Sequence, residues 1–228
     1  MRVLLTGFEP YWDYPENSSW AVAEKVAAYG VEGVDIAIEQ MPVSFSRVAV
    51  ALHNAIEKHN PEVIIMLGQS GGSEKVKLER VALNLMDAKL ADNDGYTPNE
   101  ATINKDGDAA LFCNLPIKEL CRKIAEQDIK VKISNSCGLY VCNRLYFEAL
   151  SICKKQPLRA IFVHLPFYEG QPSAKQEKPT MPLSDMAKAI QTIIETFKYL
   201  ILPTTIVMIL QTINLLTLIL LKIKTSHN

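Results

Sequence analysis

VKISNSCGLYVCNRLYFEALSICK, residues 131–154, joins a β-rich run to a helical one through a short turn. Val131–Asn135 predicts a strand, and Asn143–Lys154 predicts a helix. Cys142 directly precedes that helix. A strand followed by a turn and a helix is the repeating unit of α/β folds, so this stretch indicates the fold class.

The same alternation extends on both sides of this unit and predicts one α/β domain over residues 1–198. The other predicted strands are Val3–Thr6, Val34–Glu39, Val63–Leu67 and Ala160–His164. The other predicted helices are Ser19–Tyr29, Phe45–Lys58, Pro116–Gln127 and Leu183–Lys198. Residues 92–108 and 169–182 are rich in turn-forming residues and predict two long loops.

Composition excludes several classes of protein. The 228 residues carry 24 Lys and Arg against 25 Asp and Glu, and 48% are hydrophobic. A disordered chain would be less apolar and more unevenly charged, and a nucleic-acid partner would favour a basic chain. The five cysteines show no framework spacing and no secretory signal precedes them, so we expect reduced thiols and a cytoplasmic protein.

The last 30 residues differ from the rest. Residues 199–221 contain no charged side chain, and that length is sufficient for a membrane-spanning helix. Pro203, Gln211 and Asn214 argue against a membrane anchor. We therefore treat residues 199–228 as a hydrophobic extension of uncertain role and do not favour a membrane contact through 199–221.

One histidine and one cysteine stand at positions suited to catalysis. His164 ends an apolar strand, and ligand or catalytic groups collect at the carboxyl ends of strands in open α/β sheets. Cys142 lies at a helix start, where the helix dipole favours the thiolate and free N–H groups can bind an oxyanion. Taken alone, His164 fits a buried structural histidine equally well. Cys137, five residues before Cys142, is interpreted as a bystander.

The sequence contains no cofactor-binding pattern. Paired cysteine spacing and a His-Glu-x-x-His helix are missing, which leaves too few ligands for zinc. The glycine-rich phosphate-binding patterns are missing as well. We therefore expect no cofactor and no metal.

Gly68–Gly72 matches the Gly-x-Ser-x-Gly pattern of serine hydrolases, with Ser70 at the centre. That motif must lead directly into a helix. Residues 76–84 alternate instead like a strand, so a serine hydrolase using Ser70 is kept only as an alternative.

Several blocks together resemble the pyroglutamyl peptidase I (pyrrolidone carboxyl peptidase) family. They occur in the family's order over residues 1 to about 198. The blocks are Thr6–Pro10, Leu67–Gly72, Glu79–Asn84, Asp87–Ala88, Asp92–Gly95, Ser134–Asn143 and Phe162–Pro166.

This resemblance implies an α/β/α sandwich with a largely parallel central sheet and a Cys-His-Glu triad. Cys142 would be the nucleophile, His164 the general base and acid, and Glu79 the group that orients the imidazole. The implied reaction removes an N-terminal pyroglutamyl (5-oxoprolyl) residue from a peptide through a thioester. Relatives are often oligomeric, so a homo-oligomer is expected.

The resemblance also implies an apolar pocket for the uncharged lactam ring. Residues matching its apolar lining are Phe8, Tyr11, Val43, Leu90, Tyr140 and Val141. Asn17 and the main chain of Gln69 would hold the lactam or its loop.

Two departures from the family's pattern bear on this pocket. The family usually reads Pro-Phe-Gly-Gly where this chain has Pro10, Tyr11, Trp12 and Asp13. The missing glycines matter if the turn requires positive φ. Lys89 stands where many relatives have an arginine, so a planar guanidinium with several donors is replaced by a single ammonium group. A non-catalytic homologue tethered by its hydrophobic tail is the remaining alternative.

Overall fold

The computed structural model describes residues 1–172 and 178–201, without the side chains of 199–201. The strands are β1 (Arg2–Phe8), β2 (Asp35–Met41), β3 (Val63–Gln69), β4 (Val76–Glu79), β5 (Val81–Leu83), β6 (Ala110–Phe112), β7 (Val131–Ser134), β8 (Arg159–Leu165), β9 (Phe167–Tyr168) and β10 (Thr180–Met181). The helices are α1 (Ser18–Tyr29), α2 (Val48–His59), α3 (Ile117–Ala125), α4 (Val141–Cys153) and α5 (Leu183–Ile201).

Six strands form the central sheet in the order β2-β1-β3-β8-β4-β7. Every neighbouring pair is parallel except β8 with β4, which is antiparallel. The predicted largely parallel sheet is therefore confirmed. The antiparallel step brings β4, from the segment after the glycine-rich turn, against the strand that carries His164.

Helices cover both faces of this sheet, as an α/β/α sandwich requires. One apolar core joins α1, α3 and α5 to the sheet, and the other joins α2 and α4 to the opposite face. The central strands are buried on both faces, which explains why β3 and β8 read as continuous apolar runs rather than alternating ones.

The start of α1 shows how local sequence sets the packing. The Asn17 Oδ1 accepts a hydrogen bond from the Ser19 backbone N–H at 3.1 Å, which caps the helix. A Cβ on Gly7 would lie 2.7 Å from the Trp20 Cα, so only glycine lets β1 approach α1 this closely.

Some predicted boundaries shift by a few residues. Helix α4 begins at Val141 rather than at residue 143, so Cys142 lies inside its first turn and not before it. The loop predicted over 169–182 contains a short strand, β10, that pairs with β9. Residues 76–84 form two strands, β4 and β5, as their alternation predicts.

Candidate active site

Strand register places the two polar members of the predicted triad side by side. On β4, Glu79 is paired with Phe162 of β8, two residues before His164. Residues two apart on a strand share a face of the sheet. The Glu79 and His164 side chains are therefore diagonal neighbours on the face covered by α2 and α4, although they are 85 residues apart in sequence.

A buried hydrogen bond joins these side chains. The Glu79 Oε1 lies 2.9 Å from the His164 Nδ1. Glu79 is 0% exposed and His164 is 9% exposed. The Tyr146 hydroxyl donates to the Glu79 backbone oxygen at 2.9 Å, which holds this end of β4 in place. The Glu79 Oε2 has no protein partner among the described residues, so the buried carboxylate directs its hydrogen bonding to the imidazole.

Gly68 makes room for the imidazole on the other side. On β3 it is paired with His164, and a Cβ at Gly68 would lie 3.0 Å from the His164 Cδ2 and 2.8 Å from the Phe162 ring. Any larger residue would displace the ring from Glu79. Gly68 is thus a positioning residue for the histidine.

Helix α4 carries Cys142, and its first turn is tied to the β5 region by Asn143. The Asn143 Nδ2 donates to the backbone oxygens of Leu83 and Leu85, at 2.8 and 2.9 Å. Its Oδ1 accepts from the Leu83 N–H at 2.9 Å. Asn143 is fully buried and orients the helix start. Sequence reasoning missed this role; the available signal was an amide side chain directly after Cys142.

The protonation state of Cys142 differs from the sequence-based expectation. Burial, and secondly the nearby Glu79 carboxylate, raise the pKa of the Cys142 thiol to about 12. The opposing effect of the helix start is smaller, because a single backbone N–H at Cys142 lowers the pKa. Burial therefore opposes the ionised form that the helix start is expected to favour, and the net direction is toward the neutral thiol.

Cys142 and His164 line one small cavity of about 190 Å³. Its other walls are Phe8, Tyr11, Trp12, Asn17, Val43, Gln69, Cys137, Tyr140 and Val141. We call this cavity the chamber. Seven of the nine residues predicted to bind substrate lie in its wall, and none of its described lining residues is an acid, a lysine or an arginine.

The other two predicted binding residues lie outside the chamber. Leu90 is 53% exposed and lines a neighbouring cavity of about 630 Å³ together with Trp12 and Tyr14. Lys89 is exposed and belongs to neither lining. Both residues follow the short β5 segment on an irregular stretch, which turns them outward.

Trp12 is a chamber residue that sequence reasoning treated only as a departure from the family's pattern. Its φ of 52° lies in the left-handed region, where glycine is favoured, so the turn does require positive φ here. The indole Nε1 donates to the Ala91 backbone oxygen at 3.1 Å, and the Tyr140 hydroxyl donates to the same oxygen at 2.8 Å. These bonds and the edge-on contact with Tyr11 hold the strained residue in the wall.

Asn17 and Gln69 hold the surrounding loops through their side chains. The Asn17 Nδ2 donates to the Glu9 backbone oxygen at 3.0 Å, in addition to the helix cap formed by its Oδ1. The Gln69 Oε1 accepts from the Ser18 N–H at 2.9 Å and from the buried Gln171 Nε2 at 2.7 Å. Gln171, which sequence reasoning did not identify, thereby supports the chamber from behind.

Ser70 lacks the surroundings of a hydrolase nucleophile. The turn after β3 leads into β4 and not into a helix, as the sequence indicates. The Ser70 Oγ accepts a hydrogen bond from the Lys77 Nζ at 2.8 Å. It is not among the lining residues of the chamber.

The described residues contain neither a metal-binding cluster nor a membrane-spanning helix. No group of three or more His, Cys, Asp or Glu side chains in 1–172 and 178–201 is arranged to hold a metal ion. Over the same ranges, no helix combines the length and the apolar character that crossing a bilayer demands. The predicted hydrophobic extension falls almost entirely outside the described residues.

Comparison with known proteins assigns the family. The sequence profile of pyroglutamyl peptidase matches residues 1–199. A pyrrolidone-carboxylate peptidase of Thermosipho melanesiensis is 38% identical over 192 residues, which cover 83% of this chain and 95% of that protein. One of Gloeobacter violaceus is 34% identical over 199 residues, which cover 87% and 97%.

Solved structures agree with the sequence comparison. Pyroglutamyl peptidase I of Bacillus amyloliquefaciens superposes with a TM-score of 0.79 at 32% identity, covering 84% of this chain and 93% of that one. The pyrrolidone carboxyl peptidase of Thermococcus litoralis gives 0.80 at 31% identity, covering 87% and 94%. The chain therefore belongs to the pyroglutamyl peptidase family and is a cysteine peptidase of the pyroglutamyl peptidase I type.

Proposed function

We propose that this chain removes N-terminal pyroglutamyl residues from peptides, with Cys142 as nucleophile, His164 as general base and acid, and Glu79 as the group that orients the imidazole. The observation that carries the assignment is the 2.9 Å contact between Glu79 and His164, beside a chamber that Cys142 also lines. A thiol, an imidazole and a carboxylate so arranged form a nucleophile, a base and an orienting group.

The reaction starts from the neutral thiol. As the Cys142 Sγ attacks the pyroglutamyl carbonyl, the thiol proton passes to the His164 Nε2. Free N–H groups in the first turn of α4 stabilise the oxyanion. The imidazolium then protonates the departing amine, and the carbon–nitrogen bond breaks to leave a thioester. Water, activated by His164, hydrolyses the thioester and regenerates the thiol.

Glu79 determines which imidazole nitrogen reacts. Because its Oε1 accepts a hydrogen bond from the Nδ1–H, the Nε2 is left without a proton and serves as the base. The carboxylate also stabilises the imidazolium that forms during the reaction, since hydrogen bonds between charged partners are stronger than neutral ones.

The chamber suits a small ring without charge. Its volume of about 190 Å³ is below the usual range for drug-sized ligands, and its walls are mostly apolar and aromatic. A pyroglutamyl ring carries a lactam in place of an ammonium group. An ordinary N-terminal ammonium would find no carboxylate among the described lining residues and would lose its hydration there.

Two cysteines line the chamber, which provides a matched test of the nucleophile. The experiment measures release of a fluorophore from a pyroglutamyl amide by Cys142→Ala and by Cys137→Ala. We expect Cys142→Ala to abolish turnover and Cys137→Ala to keep most of it. Full activity in Cys142→Ala, or equal loss in both folded variants, would refute the assignment.

Three further parts of this proposal concern the whole protein. A cytoplasmic location is supported by the five free cysteines, because disulfides are rare in that reducing compartment. A peptidase domain over residues 1–198 is supported by the family match, with 199–228 as an added hydrophobic extension. A homo-oligomer stays a prediction, to be tested by light scattering of the full chain.

A further inference from the structure

A lysine side chain spans the strand that carries His164. Lys77 lies on β4, and its Nζ donates to the Ser70 Oγ at 2.8 Å. Ser70 directly follows β3, on the other side of β8. The Ser70 N–H donates to the Leu165 backbone oxygen at 2.7 Å, so Ser70 continues the pairing of β3 with β8.

Strand register places this span beside the imidazole. Lys77 is the antiparallel partner of His164, and Gly68 is its parallel partner. Directly paired residues share a face, and Ser70 is two residues beyond Gly68, so all four lie on one face of the sheet. In the sheet, β4 and β3 lie on either side of β8 and are therefore about 9–10 Å apart. The Lys77 side chain must be extended to reach Ser70 over this distance. The Lys77 side chain therefore crosses β8 next to His164.

The charges around this crossing are few. Glu79 faces His164 from β4, and two thiols, Cys142 of α4 and Cys137, line the chamber together with His164. Tyr11 and Tyr140, also in the wall, stay neutral because burial raises the pKa of each to about 12. On β7, Lys132 is paired with Lys77 one strand farther from His164. Burial first, and Lys132 second, lower the pKa of Lys77.

We propose that Lys77, tethered across β8 by Ser70, is a positioning residue whose positive charge sets the pH range over which the Cys142–His164 pair is reactive. This inference rests on the roles proposed above for those two residues. A fixed cation favours loss of a proton from the pair, whichever of the two groups carries that proton. It therefore lowers both pH limits of the reactive, singly protonated pair.

The test measures the pH dependence of alkylation of Cys142 by iodoacetamide, read by mass spectrometry on the peptide that carries this residue. The same variants are assayed for kcat/KM on a pyroglutamyl amide. Lys77→Met is expected to move both limbs of the profile up by about 0.5 pH unit at low salt. The shift should shrink in 1 M NaCl, because salt screens the interaction.

Three variants serve as controls. Lys77→Arg keeps the charge and should stay within about 0.2 pH unit of the parent. Lys132→Met removes an exposed lysine from the neighbouring strand and should also shift the limbs by less than about 0.2 unit. Ser70→Ala releases the tether without removing the charge and should give an intermediate upward shift.

Distinct outcomes separate this inference from its alternatives. Lower rates in Lys77→Met without movement of either limb would mean a purely structural role, and equal shifts in the two Met variants would mean a net-charge effect. Either result overturns the inference. If Lys77→Met does not fold, the pH profile of Cys142 alkylation in Ser70→Ala becomes the test. A profile that matches the parent's would then overturn the inference. A chain that never hydrolyses the amide but shows the shifted alkylation profile would refute the proposed function and uphold this inference.

Discussion

Replacing Glu79 by glutamine tests the proposed catalytic arrangement most directly. The substitution keeps the size of the side chain and an oxygen that can accept from the His164 Nδ1, 2.9 Å away, but removes the negative charge. It also places an amide NH₂ where the buried Oε2 has no partner among the described residues. The imidazolium formed during the reaction therefore loses its counter-charge.

The expected fall in kcat follows from the free energy of the hydrogen bond between Glu79 and His164. A hydrogen bond to a charged partner contributes about 1.5–3 kcal/mol, roughly twice a neutral one. An unpaired buried NH₂ costs about 1–3 kcal/mol more in total stability. Because glutamine keeps a neutral hydrogen bond, the transition state loses only the difference, about 0.8–1.5 kcal/mol, and kcat falls by roughly 4- to 13-fold. KM should change little, because Glu79 does not line the chamber.

The assay is the initial rate of fluorophore release from a pyroglutamyl amide over a range of substrate concentrations. Glu148→Gln is the matched control, because Glu148 also lies 2.9 Å from a histidine ring nitrogen, in its case the Nε2 of His53, outside the chamber. We expect the kcat of this control to stay within about twofold of the parent, because the two partners of Glu148, His53 and Arg144, do not line the chamber. A Glu79→Gln enzyme with unchanged kcat, or with its defect confined to KM, would show that the carboxylate does not act through His164.

Three further predictions concern the helix start, the thiol and the chamber. Asn143→Leu leaves the Leu83 and Leu85 backbone groups unpaired and should lower the free energy of unfolding by about 2–4 kcal/mol in urea titrations; an unchanged midpoint would contradict the anchoring role. The pKa of the Cys142 thiol is raised from its ordinary value of 9.0 to about 12 in the folded protein. Between these pH values the thiol ionises more readily in the unfolded chain, so its contribution to the free energy of unfolding is complete below pH 9 and is lost as pH rises toward 12. The parent should thus lose more stability over that range than Cys142→Ala does, and parallel curves would count against a raised pKa. A prolyl amide, similar in ring size but cationic, should react at least 10³-fold more slowly than the pyroglutamyl amide in kcat/KM, since an unpaired charge costs several kcal/mol to bury; comparable rates would refute an uncharged chamber.

Cys142 and His164 show most clearly which parts of the candidate site local sequence patterns can predict and which parts require the folded chain. A strand that ends in histidine and a helix that starts near cysteine are recognisable within ten residues of sequence, so both side chains could be chosen by elimination. The same local patterns predicted the α/β class and the strand character of residues 76–84. Glu79 was found only through the resemblance, since an isolated carboxylate beside a strand has no distinctive pattern.

The sequence by itself determined the fold class and the two residues placed at element ends, because turn chemistry and apolar periodicity act over a few neighbouring residues. The order of its motifs indicated the family. Tertiary structure alone decided that β4 lies antiparallel to β8, which brings Glu79 to His164 across 85 positions and carries Lys77 over the same strand. It also turned Leu90 out of the chamber and Trp12 into it. Strand order and burial depend on how distant segments share one core. The raised pKa of the Cys142 thiol depends on this too, since the burial that raises it exists only in the assembled fold.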